Sequence, residues 1–158
     1  DKFTPVRDLF EKFIDNCRRN YSPSDQLTVD EQLVTFRGRC RFKMFIPSKP
    51  GKYGIKIWAL CDAKNAYLFN AKVYLGKENG QIEFAQGENI VKSLCEPIFK
   101  TGRNVITDNF FTTLSLARFL LSQKLTIVGT VKKKQKVSSC RISRQTRKRR
   151  KCKVFISR

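Results

Sequence analysis

Two aspartates stand out for where the sequence puts them: Asp30 inside the alternating run TVDEQL, and Asp108 at the end of NVITD. Each falls on or just after a segment that reads as a strand. If those strands are neighbours, both carboxylates converge on one end of a sheet. Carboxylate oxygens gathered in this way hold hard cations such as Mg2+. Two such ions can activate an attacking water or 3′-hydroxyl and stabilise the leaving oxygen in phosphoryl transfer. An aspartate at a strand end also commonly caps the turn or helix that follows. From the pattern alone both readings stay open. Glu31 adjoins Asp30, but strand alternation turns its side chain to the other face, so it is not counted as a ligand.

The elements that must position these acids can be read from periodicity. Residues 5–21 predict an amphipathic helix, with Val6, Leu9, Phe10, Phe13, Ile14 and Cys17 on one face, Thr4 as its cap and Pro5 in its first turn. Leu27 and Val29 then alternate with Thr28 and Asp30, as in a strand with one buried face. In the following segment Arg37, Arg39, Arg41 and Lys43 alternate with Phe36, Cys40, Phe42 and Met44 apart from Gly38. Extended, it is either a phosphate-facing ribbon or a solvated edge strand protected by charge. Tyr53–Cys61 and Tyr67–Tyr74 predict two strands joined across Asp62–Ala66. A helix is expected from Glu88 to Lys100, distorted at Pro97 and closed by Gly102. Asn104–Asp108 reads as a strand, Thr113–Gln123 as a helix and Leu125–Val131 as a further strand. Antiparallel strands followed by helix, strand, helix, strand define an α/β mixed sheet.

Charge is the strongest compositional signal. The 158 residues carry 33 Lys and Arg against 13 acids, a net charge of +20. Residues 109–158 hold 15 of the bases and none of the acids, Asp108 being the last acid in the sequence. A field of this sign favours polyanions, nucleic acid first among them. The six cysteines include no CxxC pair and there is no His, which argues against a structural zinc site and for reduced core thiols. No apolar run approaches the length of a membrane span, so a soluble intracellular protein is expected. The first residue is Asp1 rather than Met, which suggests a fragment. Beyond Val131 the run KKKQKVSSCRISRQTRKRRKCKVFISR lacks periodicity and is expected to be mostly disordered.

Four ordered stretches carry a resemblance: TVDEQLVTFRGRCRFKMFIPSKPGKYGIKIW, GENIVKSL, NVITDNFFTTLSLARFLL and KLTIVGTVKK. In content and order they closely resemble the catalytic domain of piggyBac transposases and their domesticated descendants, from about Phe3 to Lys134. The resemblance implies an RNase H-like fold, incomplete at the C-terminus, and cut-and-paste DNA transposition by three aspartates holding two Mg2+ ions. It places Asp30 and Asp108 at the first two catalytic and metal-binding positions. It also puts Lys132 at a DNA-contacting position, with Lys133 and Lys134 beside it and Gln135 where the family often has a base.

The third aspartate of the family lies far downstream, and no acid follows Asp108 here. The resemblance therefore implies residues 1–134 as the N-terminal part of a transposase domain, residues 135–158 as a basic tail, and Mg2+ held weakly or not at all. The expected function is DNA binding without cleavage, the alternative being a portion of a longer active enzyme. The expected partner is DNA, in the family the transposon terminal repeats, with a homodimer or host protein as further partners. Arg147, Lys148, Arg149, Arg150 and Lys151 read as a nuclear-localisation signal or a solvated tail, with a nuclear location expected on the first reading. Incomplete cover of the sheet is expected to expose apolar surface on Leu125–Val131 and on the helix at Thr113–Gln123.

Overall fold

The computed structural model of the chain describes residues 3–76, 85–131 and the backbone of 152–156. A seven-stranded mixed sheet forms its centre. In chain order the elements are α1 (Thr4–Arg19), β1 (Gln26–Thr35), β2 (Met44–Phe45), β3 (Tyr53–Asp62), β4 (Leu68–Val73), α2 (Gln86–Cys95), β5 (Asn104–Thr107), α3 (Leu114–Ser122), β6 (Thr126–Val131) and β7 (Cys152–Ile156). Across the sheet they run β2, β3, β1, β5, β6, β7, and β4 shares the outer edge of β3 with β2. β3 pairs antiparallel with β1, whereas β1, β5 and β6 are mutually parallel neighbours.

Strand alternation divides the sheet into two unlike faces. On one, Leu27, Val29, Trp58, Leu60, Val105 and Ile127 pack with Val91, Leu94 and Cys95 of α2 and Leu116, Ala117 and Leu120 of α3. The β5-α3-β6 crossover lays α3 on this face. The other face carries Thr28, Asp30, Gln32, Ile57, Ala59, Cys61, Ile106, Val128 and Thr130, and none of these is buried. The mixed RNase H-like sheet expected from the sequence is thus the observed fold. The expected exposure falls elsewhere, however. Leu125, Ile127, Val131, Leu116 and Leu120 are all buried, because α3 folds back onto the strands it connects.

Several local expectations are corrected. Thr4 does not cap α1: Phe3 holds the N-cap position, its side chain has no acceptor to offer, and its ring instead packs edge-on against Phe10 and Phe42. Of the apolar face of α1 only Ile14 and Cys17 are buried, and Val6, Leu9 and Phe13 are exposed. The Arg37–Lys43 segment is a loop rather than a ribbon. Gly38 interrupts the alternation, and Phe42 alone turns fully inward. Pro97 ends α2 early by converting Glu96–Ile98 to a 3-10 turn, and Gly102, at φ +77°, lies beyond that turn. Within the stretch expected to be disordered, Cys152–Ile156 forms β7, pairing antiparallel with β6. The short apolar run there caps what is otherwise a free sheet edge.

Candidate functional site

β1 and β5 pair in parallel with Gln26 opposite Asn104, Leu27 opposite Val105, Thr28 opposite Ile106 and Val29 opposite Thr107. One further step sets Asp30 beside Asp108, at the point where β5 ends and β1 continues. Neighbouring strands lie about 5 Å apart, so the two carboxylates share one small region of the open face. The 78 residues that separate Asp30 from Asp108 equal the register offset of the β1–β5 pair, 104 − 26.

Both acids are exposed, and each accepts one hydrogen bond from the next residue's N–H: Asp30 Oδ1 from Glu31 at 2.7 Å, Asp108 Oδ1 from Asn109. That leaves an oxygen of each carboxylate without a protein donor among the described residues. The Asp30 charge reaches its surroundings: the Cys61 thiol is pushed up by burial first and then by Asp30. Glu31 lies on the opposite face, paired across from Trp58 and 3.6 Å from Lys49 Nζ, and does not join the aspartates.

The DNFFTT turn fixes where Asp108 points. Its carbonyl accepts from Phe111 N at 3.2 Å, Thr112 N at 3.1 Å and Thr112 Oγ1 at 2.7 Å. Thr107 Oγ1 lies 2.8 Å from Thr112 Oγ1, which closes the turn onto β5. Phe111 is buried in the core edge-on to Trp58. Phe110, 44% exposed, stacks on Trp58 at 5.7 Å with a 10° interplanar angle, and its ring meets Phe111 edge-on at 5.1 Å. Thr113 caps α3 by accepting from Leu116 N at 3.0 Å and donates to Glu88 Oε2 at 2.9 Å.

Glu88 is a positioning residue that sequence reasoning missed. It is buried at the start of α2, bound by Lys92 Nζ at 2.7 Å, Ser115 Oγ at 2.8 Å and Thr113 Oγ1. Burial works to raise its pKa, and the three donors outweigh it, holding the carboxyl below its ordinary value. Trp58 is a second. Lys56 Nζ sits 3.8 Å from its ring centroid, and burial lowers the lysine's pKa. Gly129, in the GTV run, is a third: a Cβ there would stand 2.2 Å from Thr112 Oγ1 and 2.7 Å from Thr107 Oγ1. The signals in the sequence were the hydroxyl run Thr112, Thr113, Ser115 and the Gly of the later GTV run, but neither announces its partner.

Arg37, Arg39 and Arg41 are exposed on the β1–β2 loop, and no acid engages them among the described residues. Lys43 donates to Gly38 O at 3.0 Å and so braces that loop. Lys132, Lys133, Lys134 and the 147–151 basic run lie outside the described residues. The site is open surface rather than a pocket. A groove of about 380 Å3 lies between α1 and β4, lined by Phe10, Ile14 and Val73 among others, and neither aspartate borders it. A polymer laid across the sheet fits such a surface better than an enclosed small molecule does.

A parallel pair of strands thus brings two aspartates to the open face of a mixed sheet. The Transposase IS4 family profile matches residues 1–157, and the chain belongs to that family. It is 30% identical over 139 residues to human PiggyBac transposable element-derived protein 3, covering 84% of this chain and 23% of that protein. It is also 30% identical over 139 residues to the human Chimeric ERCC6-PGBD3 protein, of which it covers 13%. Among solved structures, a piggyBac transposase in a synaptic complex with hairpin DNA superposes with a TM-score of 0.78 at 48% identity, over 86% of this chain and 29% of that one. The piggyBac resemblance and its fold are therefore established, and the chain spans less than a quarter of the curated relatives' length.

Proposed function

We propose that this 158-residue chain is a piggyBac-derived DNA-binding domain that carries two of the three acids of a transposase centre and does not cleave DNA by itself. The observation that carries the reading is the shared open face: Asp30 and Asp108 lie side by side on it, with the exposed Arg37, Arg39 and Arg41 on the loop that leaves β1. The similar solved structure is titled as a complex with hairpin DNA, which supports DNA as the partner.

Asp30 and Asp108 suit a hard divalent cation such as Mg2+, because both offer free carboxylate oxygens from adjacent strands. When bound, such ions would polarise a phosphate and activate an attacking hydroxyl. Two side chains supply few of the six oxygens Mg2+ takes, and among the described residues no group of three potential ligands gathers. Loose metal placement disfavours in-line transfer, which needs both ions fixed. Residues 147–151 would direct the protein to the nucleus, where its DNA partner lies, and pairing with a second copy or a host protein is compatible with the exposed apolar side of α1.

Binding to a terminal-repeat duplex across a salt series tests the DNA part. Affinity should fall steeply with salt, and replacing Arg37, Arg39 and Arg41 with Ala should flatten the log–log slope by about 2–3. A binding curve insensitive to salt would remove this reading. The second reading, a portion of an active enzyme, is favoured by the greater length of the relatives. Sequencing the transcript past the Arg158 codon decides it: a downstream acid in frame supports it, and a stop removes it.

A further inference from the structure

Phe45 and Tyr53 face each other in the β2–β3 register, ring centroids 4.7 Å apart and planes inclined by 36°. They are 53% and 51% exposed. Lys43 Nζ lies 5.9 Å from the Tyr53 ring centroid. Alternation along β3 from Ala59, the partner of Asp30, through Ile57 and Ile55 to Tyr53 keeps this pair on the same open face as the aspartates. Six strand positions separate the two places, a distance of about 20 Å. Aromatic rings left half bare in this way mark a contact surface.

Charge decides what kind of contact. Between Glu31 and Asp62 the sequence has seven Lys and Arg and no acid. Such a field repels a basic partner, gives a neutral apolar one no advantage, and draws in a polyanion. A polyanion with flat π-faces is a nucleic acid. In a duplex those faces are occupied by neighbouring base pairs, so an aromatic pair on a sheet surface finds its partner in an unpaired base.

We propose that Phe45 and Tyr53 form a stacking platform for an unpaired base. Resting on the DNA-binding reading above, this places that base about six nucleotides, at roughly 3.4 Å each, along the strand whose phosphate lies over Asp30 and Asp108. Arg37, Arg39 and Arg41, on the loop that starts where Phe36 N donates to Tyr53 O, hold the backbone at the platform's end of the sheet. The platform thus narrows the substrate class to duplex with a single-stranded or unpaired end.

The test uses the full chain and two DNAs: a blunt duplex, and the same duplex with a tail of about eight nucleotides carrying 2-aminopurine. The tailed DNA should bind about tenfold more tightly, with quenched 2-aminopurine fluorescence. Phe45→Ala with Tyr53→Ala should abolish both differences and leave blunt-duplex affinity unchanged, while Tyr53→Phe retains them. Because both rings are half exposed, the double variant should stay folded, its melting temperature lowered only by the loss of one aromatic contact of about 1 kcal/mol. Equal affinity for the two DNAs, or a preference that survives the double variant, overturns the platform while leaving DNA binding intact. Failure to bind either DNA overturns the DNA-binding reading beneath it. A change in sedimentation of the double variant without DNA would show a protein contact instead, and also overturns the platform.

Discussion

The Thr112 hydroxyl occupies the space that a Cβ on Gly129 would need, 2.2 Å from where that atom would be built. Through this hydroxyl β6 holds the turn that carries Asp108, since Thr112 Oγ1 donates to the Asp108 carbonyl. Gly129→Ala should therefore destabilise the chain by about 1–3 kcal/mol through overpacking. Thr112→Ser, which keeps the hydroxyl, should be close to neutral. Urea denaturation of both variants checks this, and an Ala at 129 without cost would mean the turn is not braced from β6.

Acid should weaken the fold through two buried carboxyls. Asp62 accepts from Tyr21 OH at 2.9 Å and Ser24 Oγ at 2.7 Å, and from the N–H groups of Ser24 and Lys64. Burial works to raise its pKa, and these donors overcome it and hold it well below the usual carboxylate range. Glu88 is likewise held low. Groups whose pKa is depressed on folding bind protons better in the unfolded chain. Their contribution is complete above the ordinary carboxylate values near 4 and is lost as pH falls through the folded ones. Melting temperature followed from neutral to acid pH should stay level and then fall. Asp62→Asn and Glu88→Gln should each melt lower at neutral pH and show a shallower acid decline; an unchanged decline in both would contradict the assignment.

Alternation and the strand-end position singled out Asp30 and Asp108 in the sequence and the piggyBac resemblance gave them a role, while their side-by-side placement needed the parallel β1–β5 register. The α2 and α3 faces were legible from helical periodicity. The Arg37–Lys43 segment misled because alternation of types is also what a loop anchored by one Phe produces: Phe42 packs on Phe3, the N-cap residue of α1, a contact no local pattern reveals. Glu88 was missed because its partners, Thr113 and Ser115, lie 25 and 27 residues away.

Trp58 is the single tryptophan, buried and stacked on Phe110 two residues after Asp108. Its emission is therefore a local reporter. Phe110→Ala should shift that emission to longer wavelength and cost about 1 kcal/mol, the size of one aromatic contact. An unshifted spectrum would place Phe110 away from the indole.

The same signal should report cations. Mn2+, substituting for Mg2+ at the two aspartates, should quench Trp58 only at concentrations on the order of millimolar, as a site with few protein oxygens would. Asp30→Asn or Asp108→Asn should abolish the quenching. Tight saturation, or quenching indifferent to both substitutions, would show that other groups hold the ion.

The most direct measurement is strand cleavage itself. The full chain is incubated with Mg2+ and a hairpin-ended or nicked terminal-repeat duplex, beside its Asp30→Asn and Asp108→Asn variants, and products are resolved on a denaturing gel. The two-acid centre predicts binding with no products above background and no difference among the three proteins. Turnover by the unaltered chain that either substitution removes would contradict it.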